Sequence, residues 1–295
     1  MKFGQVEDPS IVDFTLPSDH PRTAEILSKS NSELKELFIG CAKWNKTDLK
    51  GFYPRGTKDE LTYYATQFNS IELNATFYGM PSPEQVITWR DKTPSDFKFF
   101  PKITNTVSHF RRLKDVFDPV TQYVTSVMNF DEKLGMVFLQ LHDNFKPKDY
   151  DRLEKFVKEW PQEIPLAVEL RNEEWFSDEE VFNTTCDLFE AYNITNIIVD
   201  TAGRRDMLHM RLTTPFAFIR YVGANAESDY ERLDDWLERL EDWKSKGLEK
   251  IYFFVHQNLE KASPLLSAHL IKNMNEKWGT ELIIPKLAGE TGTLF

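Results

Sequence analysis

Charged residues interrupt several short apolar runs of this 295-residue sequence. Such runs usually supply apolar residues to the buried core. Glu72 interrupts the run IELN, and Glu169 and Arg171 interrupt the run AVELR. Charged residues are almost never fully buried unless they are paired. Carboxylates and cations held in such places can bind a charged ligand or transfer protons. Whether these side chains meet depends on the elements that carry them.

Those elements form a regular series. From Leu37 onward, short apolar runs alternate with amphipathic stretches, a pattern typical of βα units and a parallel sheet. Eight such units predict an α/β fold of the TIM (βα)8 barrel type. The segment 201–214 has no helical stripe, so the sixth unit is predicted to be irregular, with a long loop. The eight predicted strands are 37–41, 70–74, 98–102, 135–141, 166–171, 196–200, 217–222 and 250–256.

Composition changes along the chain predict its organisation. Residues 1–36 are polar and contain three prolines, which indicates an N-terminal arm packed on the barrel. No linker or repeat interrupts 37–279, so this range is predicted to be a single barrel domain. Residues 280–295 are predicted to be a C-terminal tail of the same domain.

Strand parity predicts where the polar side chains point. Alternate side chains of a barrel strand face the interior, and barrel enzymes carry their chemistry at the C-terminal ends of the strands. A buried ion network that only supports the barrel is one interpretation, but buried pairs seldom stabilise a fold more than apolar packing does. A ligand site is therefore favoured. The predicted inward set is Glu72, Asn74, Lys102, Gln140, His142, Glu169, Arg171, Asp200, Arg220 and His256.

Two loops add positive charge near the same opening. His109, Arg111, Arg112 and Lys114 follow the third predicted strand, whereas Arg204, Arg205 and Arg211 follow the sixth. Each cluster alone is typical of a solvated surface. Together with the inward cations, they predict a local site for a small anion.

Bulk properties narrow the partners. The net charge of −11 disfavours nucleic acid. Two cysteines without CxxC spacing fit a reducing compartment, and the N-terminal MKFGQVEDPS lacks a signal-peptide pattern, so the protein is predicted to be cytoplasmic. No apolar run is long enough to span a membrane. Phosphate-binding glycine loops, HExxH and GxSxG are absent, so no cofactor is predicted.

Several strings resemble the YecE-like family, a domain of unknown function (number 72), across most of 38–258. They include FIGCAKWNKTDLKGFYP, SIELNATFY, KLGMVFLQL and AVELRNEEWF. The resemblance implies a TIM barrel and carries no established reaction. This sequence departs from the family pattern at His142-Asp143, at Val222-Gly223 and at 255–258. The shared site that the resemblance implies comprises Glu72, Asn74, Thr76, Phe77, Tyr78, Lys102, His109, Gln140, Glu169, Arg171 and Trp175.

The leading hypothesis is an enzyme that acts on a small anionic substrate, phosphorylated or carboxylated, by general acid/base chemistry. Hydrolase, lyase and isomerase chemistry are left open, as is the oligomeric state. The predicted catalytic residues are Glu72, Glu169, His109 and His256. The predicted substrate-binding residues are Asn74, Thr76, Tyr78, Lys102, Gln140, Arg171, Trp175, Asp200, Arg220 and Asn258.

Two alternatives stay open at the level of the sequence. A divalent-metal-dependent isomerase or endonuclease-like barrel would use Glu169, Asp200 and His256 as ligands, although the neighbouring cations oppose a metal. A non-catalytic protein that binds a metabolite or a partner would use the same pocket without turnover.

Overall fold

A ring of parallel strands forms the centre of the computed structural model, which describes residues 4–30 and 33–288. The strands of these two ranges are β1 (Glu36–Cys41), β2 (Ser70–Leu73), β3 (Lys98–Pro101), β4 (Val137–Gln140), β5 (Leu166–Glu169), β6 (Thr195–Asn196), β7 (Ile198–Thr201), β8 (Phe216–Gly223) and β9 (Lys250–Gln257). Two parallel ladders run in the orders β3-β2-β1-β9-β8-β7 and β4-β5-β6.

Sparser contacts join the two ladders. Isolated parallel bridges connect Lys102 to Phe138 and Phe99 to Leu134, which places β3 beside β4. At the other junction β6 pairs with β5 and β7 pairs with β8, with only Ile197 between β6 and β7. The predicted sixth strand is therefore β6 plus β7, and all eight predicted strands have counterparts. The prediction of an irregular TIM-type α/β fold is confirmed, with the ladder thinned at two seams.

Helices connect and surround the strands. Some begin at residues whose side chains cap exposed backbone N–H groups. Ser82 accepts from the N–H of Gln85, and Asp178 accepts from the N–H groups of Glu180 and Val181. The helices in the described ranges are α1 (Pro21–Ser28), α2 (Glu60–Tyr64), α3 (Ala75–Tyr78), α4 (Pro83–Asp91), α5 (Phe117–Val127), α6 (Tyr150–Glu159), α7 (Glu179–Ala191), α8 (Ser228–Ser245) and α9 (Ser263–Trp278).

An aromatic layer fills the middle of the ring. Phe100 lies 4.8 to 5.9 Å, between ring centroids, from three other inward aromatic rings. Burial of each such side chain stabilises the fold by roughly 1.5–3 kcal/mol. This dry layer leaves the C-terminal ends of the strands as the place for polar inward side chains. The aromatic members of the layer are Phe100, Phe138, Phe218, Tyr252 and Phe254.

The register of the sixth strand is opposite to the prediction. Ile197 and Val199 belong to the interior cluster, whereas Ile198 packs among the helix-facing residues. Asp200 consequently points outward: its Oδ2 accepts a hydrogen bond of 2.8 Å from Trp236 Nε1. Both parities of this strand carry apolar residues, so alternation alone could not select the inward one.

The N-terminal arm contacts the outside of the ring. The carbonyl of Gly4 accepts from the N–H of Gly203 at 2.9 Å, and Thr23 donates to the carbonyl of Met210 at 2.7 Å. In the tail, the N–H of Lys286 donates to Gln67 at 3.1 Å. The predicted arm (1–36) and tail (280–295) also include residues 1–3, 31–32 and 289–295, which lie outside the described residues. No helix of the described ranges combines the length and apolarity that crossing a membrane requires.

Candidate functional site

Polar side chains from six strands meet at the C-terminal end of the ring. Each occupies an inward position in the C-terminal half of its strand or just after it, above the aromatic layer. All are buried except the side chain of His256, which is 13% exposed. The six are Glu72, Lys102, Gln140, Glu169, Arg220 and His256.

Arg220 links the two glutamates. Its Nη2 and Nε donate to the two carboxylate oxygens of Glu72, both at 2.8 Å, and its Nη1 donates to Glu169 Oε2. Two-pronged bonds between a guanidinium and a carboxylate are strong and directional. A guanidinium has five N–H donors, so donors remain for a ligand.

Further hydrogen bonds hold the outer sides of both carboxylates. Glu72 accepts from Asn74 at 2.8 Å and lies 2.9 Å from His256 Nε2. Glu169 Oε1 accepts from Gln140 Nε2 at 2.9 Å and from Arg171 Nε at 2.7 Å. Each buried carboxylate is thus satisfied by several donors, which fixes the geometry of the cluster.

The charges of this cluster set the proton affinity of the glutamates. Burial, the largest single influence, would raise the pKa of both carboxyl groups, but the combined attraction of Arg220 and the other positive groups, with their hydrogen bonds, outweighs it. The pKa of Glu72 is held well below its usual range, and that of Glu169 falls to about 2. A carboxylate with so low a pKa accepts protons poorly near neutral pH. This electrostatic arrangement disfavours the predicted role of the two glutamates as general bases.

Lys102 lies deeper in the same cluster. Its Nζ donates to Gln140 Oε1 at 2.7 Å and sits 4.1 Å from the centroid of the Phe77 ring. Burial, followed by the nearby charge of Arg220, lowers the pKa of Lys102 to about 7. This amine is therefore only partly protonated at neutral pH, which weakens its predicted role as a fixed anion-binding cation.

The cluster opens into a cavity of about 350 Å³. Arg220, Asn74 and His256 reach it from the polar cluster, and Tyr78, 77% exposed, stands at its rim. A volume of this size suits a small metabolite. The lining residues are Ala42, Lys43, Trp44, Asn45, Asn74, Ala75, Tyr78, Arg220 and His256.

The loop after β3 has an unusual backbone. A π-helical turn spans Thr106–Phe110, and Arg112 and Leu113 follow with φ of +47° and +60°. Such turns and left-handed non-glycine residues are concentrated at functional sites. The loop places the ring of His109 4.8 Å from that of Phe77, between centroids.

His109 is half-buried there, 5.0 Å from the ring of His142. Burial, with a further contribution from Lys102, lowers the pKa of His109 to about 4. The imidazole is therefore neutral near pH 7 and poorly suited to the predicted role of proton donor.

Four predicted substrate-binding residues lie elsewhere or have structural contacts. Trp175 is buried in the core and donates from Nε1 to the carbonyl of Phe145 at 2.8 Å. Its large apolar ring favours that burial over a polar pocket. The hydroxyl of Thr76 lies 2.7 Å from the carbonyl of Lys102 and supports the backbone. Asp200 faces α8, and Asn258 is half-buried beyond β9, outside the cavity lining.

The predicted cationic loop after the sixth strand binds protein groups instead. Arg205 pairs with Asp200, and Arg211 pairs with Glu190. Arg204 donates to Asp206 at 2.8 Å. These contacts engage each side chain with a carboxylate of the protein, and the contribution of this loop to anion binding stays a prediction.

Sequence reasoning missed the cavity wall after β1. Lys43, Trp44 and Asn45 line the cavity, but the inward position at the C-terminal end of β1 is Gly40, which gave no polar signal there. A signal was present in the string FIGCAKWNKTDLKGFYP, which carries part of the family resemblance.

The fold and site define a TIM-type barrel protein with a polar cavity at the C-terminal ends of its strands. The family model described as "Protein of unknown function DUF72" matches residues 38–288, and the chain belongs to this family. The resemblance expected from the sequence is thereby confirmed.

Proteins from several bacteria are similar to this chain in sequence or in fold. The chain is 28% identical to UPF0759 protein YecE of Escherichia coli K12 over 242 residues, 75% of this chain and 86% of the relative. It is 28% identical to UPF0759 protein YunF of Bacillus subtilis over 151 residues, 48% of this chain and 52% of the relative. A crystal structure of a DUF72 family protein from Thermotoga maritima is similar with a TM-score of 0.68 and 26% identity, covering 81% and 99% of the two chains.

Proposed function

We propose that the protein is an enzyme that acts on a small anionic substrate, phosphorylated or carboxylated, by acid/base chemistry in the cavity. One observation carries the proposal: a buried chain of Glu169, Arg220, Glu72 and His256 ends at a cavity of about 350 Å³. Open barrel ends with preorganised charged groups are where this fold performs catalysis.

Within this proposal, cations at the cavity bind the anion. Arg220 retains donors beyond those used by the glutamates, and Lys43 lies in the cavity wall. Asn74 also lines the cavity while its Nδ2 bonds Glu72. The substrate is thereby oriented over His256.

His256 transfers the proton. Its Nε2 lies 2.9 Å from Glu72, so the carboxylate favours a hydrogen on Nε2 and leaves Nδ1, which is 4.0 Å from Glu260 Oε1, for exchange with substrate. Glu72 in turn is fixed by Arg220, which assigns it an orienting role rather than the role of a base.

The geometry does not support the metal-dependent alternative with its predicted ligands. Glu169 and His256 face the interior, whereas Asp200 faces α8 and lies 2.9 Å from Arg232. In the part of the chain that the structure describes, no three His, Cys, Asp or Glu side chains are grouped to hold a metal ion.

The proposal also covers the partner, the location and the domain organisation of the protein. The net charge of −11 supports a small molecule rather than a nucleic acid as the partner. Both cysteines, Cys41 and Cys186, are buried free thiols, which supports a cytoplasmic location. We also propose that residues 37–279 form one domain with the arm and tail packed against it.

A panel of phosphorylated and carboxylated metabolites tests the function, first by thermal stabilisation and then by turnover of each binder. We expect His256→Gln to keep binding and to lose about 10²–10⁴-fold in kcat, the usual contribution of a proton-transfer group. His269→Gln is the matched control, because His269 forms a surface pair of 2.7 Å with Asp234 on other elements.

Equal turnover by wild type and His256→Gln would contradict the proposed role of His256. Binding of an anion without turnover of any member of the panel would instead favour a non-catalytic binding protein. Stabilisation by no member of the panel would contradict the anion site.

A further inference from the structure

The contacts of Lys102 differ from those of a structural buried lysine. Its Nζ bonds an uncharged amide, Gln140, at 2.7 Å instead of a carboxylate, and the face of Phe77 covers it at 4.1 Å. The residue is 6% exposed. The cation–π contact and the amide oxygen compensate an ammonium group for its lost hydration less than a carboxylate partner would.

Burial and the surrounding charges together favour the neutral form of the Lys102 amine. Arg220 on β8 and Arg171 after β5 disfavour the ammonium form, and Glu169 and Glu72 favour it. His109 faces the amine from the loop after β3. Burial and the two arginines prevail, and the pKa of about 7 leaves roughly half of the amine unprotonated at pH 7.

We propose that Lys102 is a nucleophilic amine that forms an imine with a small aldehyde or 2-oxo acid. The requirement for an acid group rests on the proposed function, in which the cluster binds an anion. Lysines desolvated beside other cations are a recognised type of imine-forming nucleophile.

The chemistry balances without a further reactant. The lone pair of Nζ forms a bond to the carbonyl carbon, and the carbonyl oxygen takes a proton to give a carbinolamine. The two hydrogens of the neutral amine leave with that oxygen as water, and a C=N bond remains. Arg171 and Arg220 lie close enough to lower the pKa of Lys102 and are the cations for the carboxylate.

Access to Lys102 limits the size of the carbonyl compound. Phe77 lies on α3, the four-residue helix whose Ala75 and Tyr78 line the cavity. Neither Phe77 nor Lys102 is part of the cavity lining, so a compound in the cavity reaches the amine only when the Phe77 ring moves aside, which favours compounds of a few atoms. A two- or three-carbon oxo acid meets this requirement.

Glyoxylate with cyanoborohydride tests the proposal on the native protein, because the reductant converts the imine into a stable secondary amine that peptide mass spectrometry locates. We expect Lys102 to be labelled at least about tenfold faster than Lys43 at pH 7, because exposed lysines are almost fully protonated there. Lys43 is the internal control, since it lines the cavity and its side chain is 40% exposed. Labelling of Lys102 rises between pH 6 and 8 and then levels.

Two variants sharpen the result. Lys102→Met, which preserves volume and apolar packing, abolishes this label and leaves that of Lys43 unchanged. Phe77→Leu, which removes the aromatic ring that covers the Lys102 amine, accelerates the labelling of Lys102. Labelling of Lys102 no faster than that of Lys43, or only after unfolding in urea, would overturn the inference.

Propanal, which lacks the acid group, separates this inference from the proposed function. Preference for glyoxylate over propanal at Lys102 supports both. Equal labelling by the two compounds keeps the imine and removes the anion requirement. If neither compound labels Lys102 while anion turnover still depends on His256, the proposal of an imine is rejected and the proposed function is kept.

Discussion

Arg220 is the residue on which the organisation of the site depends. It bonds Glu72 through two nitrogens and Glu169 through a third, so one cation satisfies two buried carboxylates from opposite parts of the ring. Removal of one partner from such a buried arrangement leaves an uncompensated charge, which typically costs 3–5 kcal/mol. The cluster is thus preorganised before any substrate enters.

Glu169 provides a prediction about pH. Its folded pKa of about 2 lies below the unfolded value of about 4.3, so its ionisation stabilises the fold above pH 4.3. This contribution is lost as the pH falls from about 4.3 to about 2. We expect the wild-type free energy of unfolding to drop by on the order of 2–3 kcal/mol more than that of Glu169→Gln over this window.

Urea denaturation at pH values from 6 to 2.5 measures this difference. Glu159→Gln on α6 is the control, because the Glu159 side chain is 51% exposed, and it should follow the wild type. Parallel pH curves for wild type and Glu169→Gln would show that Glu169 is not held ionised by Arg220.

At the scale of the elements, sequence patterns predicted the ring because each of the eight strands is a short apolar run that stands out from the amphipathic helices around it. Parity placed Glu72, Glu169 and Arg220 correctly because each has apolar neighbours on both sides. It failed at Asp200, two of whose partners, Arg232 and Trp236, come from α8, more than 30 positions away. Pairing across such a distance leaves no local signal.

Other parts of the site also lay beyond sequence reasoning. Trp175 stands in a family string, yet its ring packs in the core on Phe145. The depressed pKa of Lys102 arises from the convergence of four strands, which no linear pattern shows. The sequence shows which side chains of the site can carry charge, but the proton affinity of each depends on its three-dimensional environment.

Asp200→Asn tests the assignment of this residue to the outer layer. The substitution removes the charge that pairs with buried Arg232, so we expect a loss of about 2–3 kcal/mol in the free energy of unfolding. Anion binding in the cavity should not change, because Asp200 faces away from it. Calorimetric titration of the anion and denaturant unfolding measure the two effects separately.

The control is Asp206→Asn, since Asp206 lies in the turn that follows β7 and forms a partly exposed pair with Arg204. It should change stability by less than about 1 kcal/mol. A selective loss of anion affinity in Asp200→Asn, with stability unchanged, would return this residue to the binding site.

At the scale of the whole molecule, an acidic protein concentrates a few cations at one end of a barrel. The net charge of −11 repels large polyanions, whereas Arg220, which retains unused donors, and Lys43, which lies 3.2 Å from Asp48, line a small cavity. Under the proposed function, this arrangement would favour small anions over nucleic acids. The dry aromatic layer beneath the cluster strengthens these interactions by excluding water.

A crystal structure of the protein soaked with inorganic phosphate tests the proposed anion site most directly. We expect an ordered anion in the cavity, within hydrogen-bond distance of Arg220 and beside His256 and Lys43. The glutamate–arginine chain should keep its geometry. Phosphate bound only at other surfaces, with water alone in this cavity at saturating concentration, would contradict the proposed anion site.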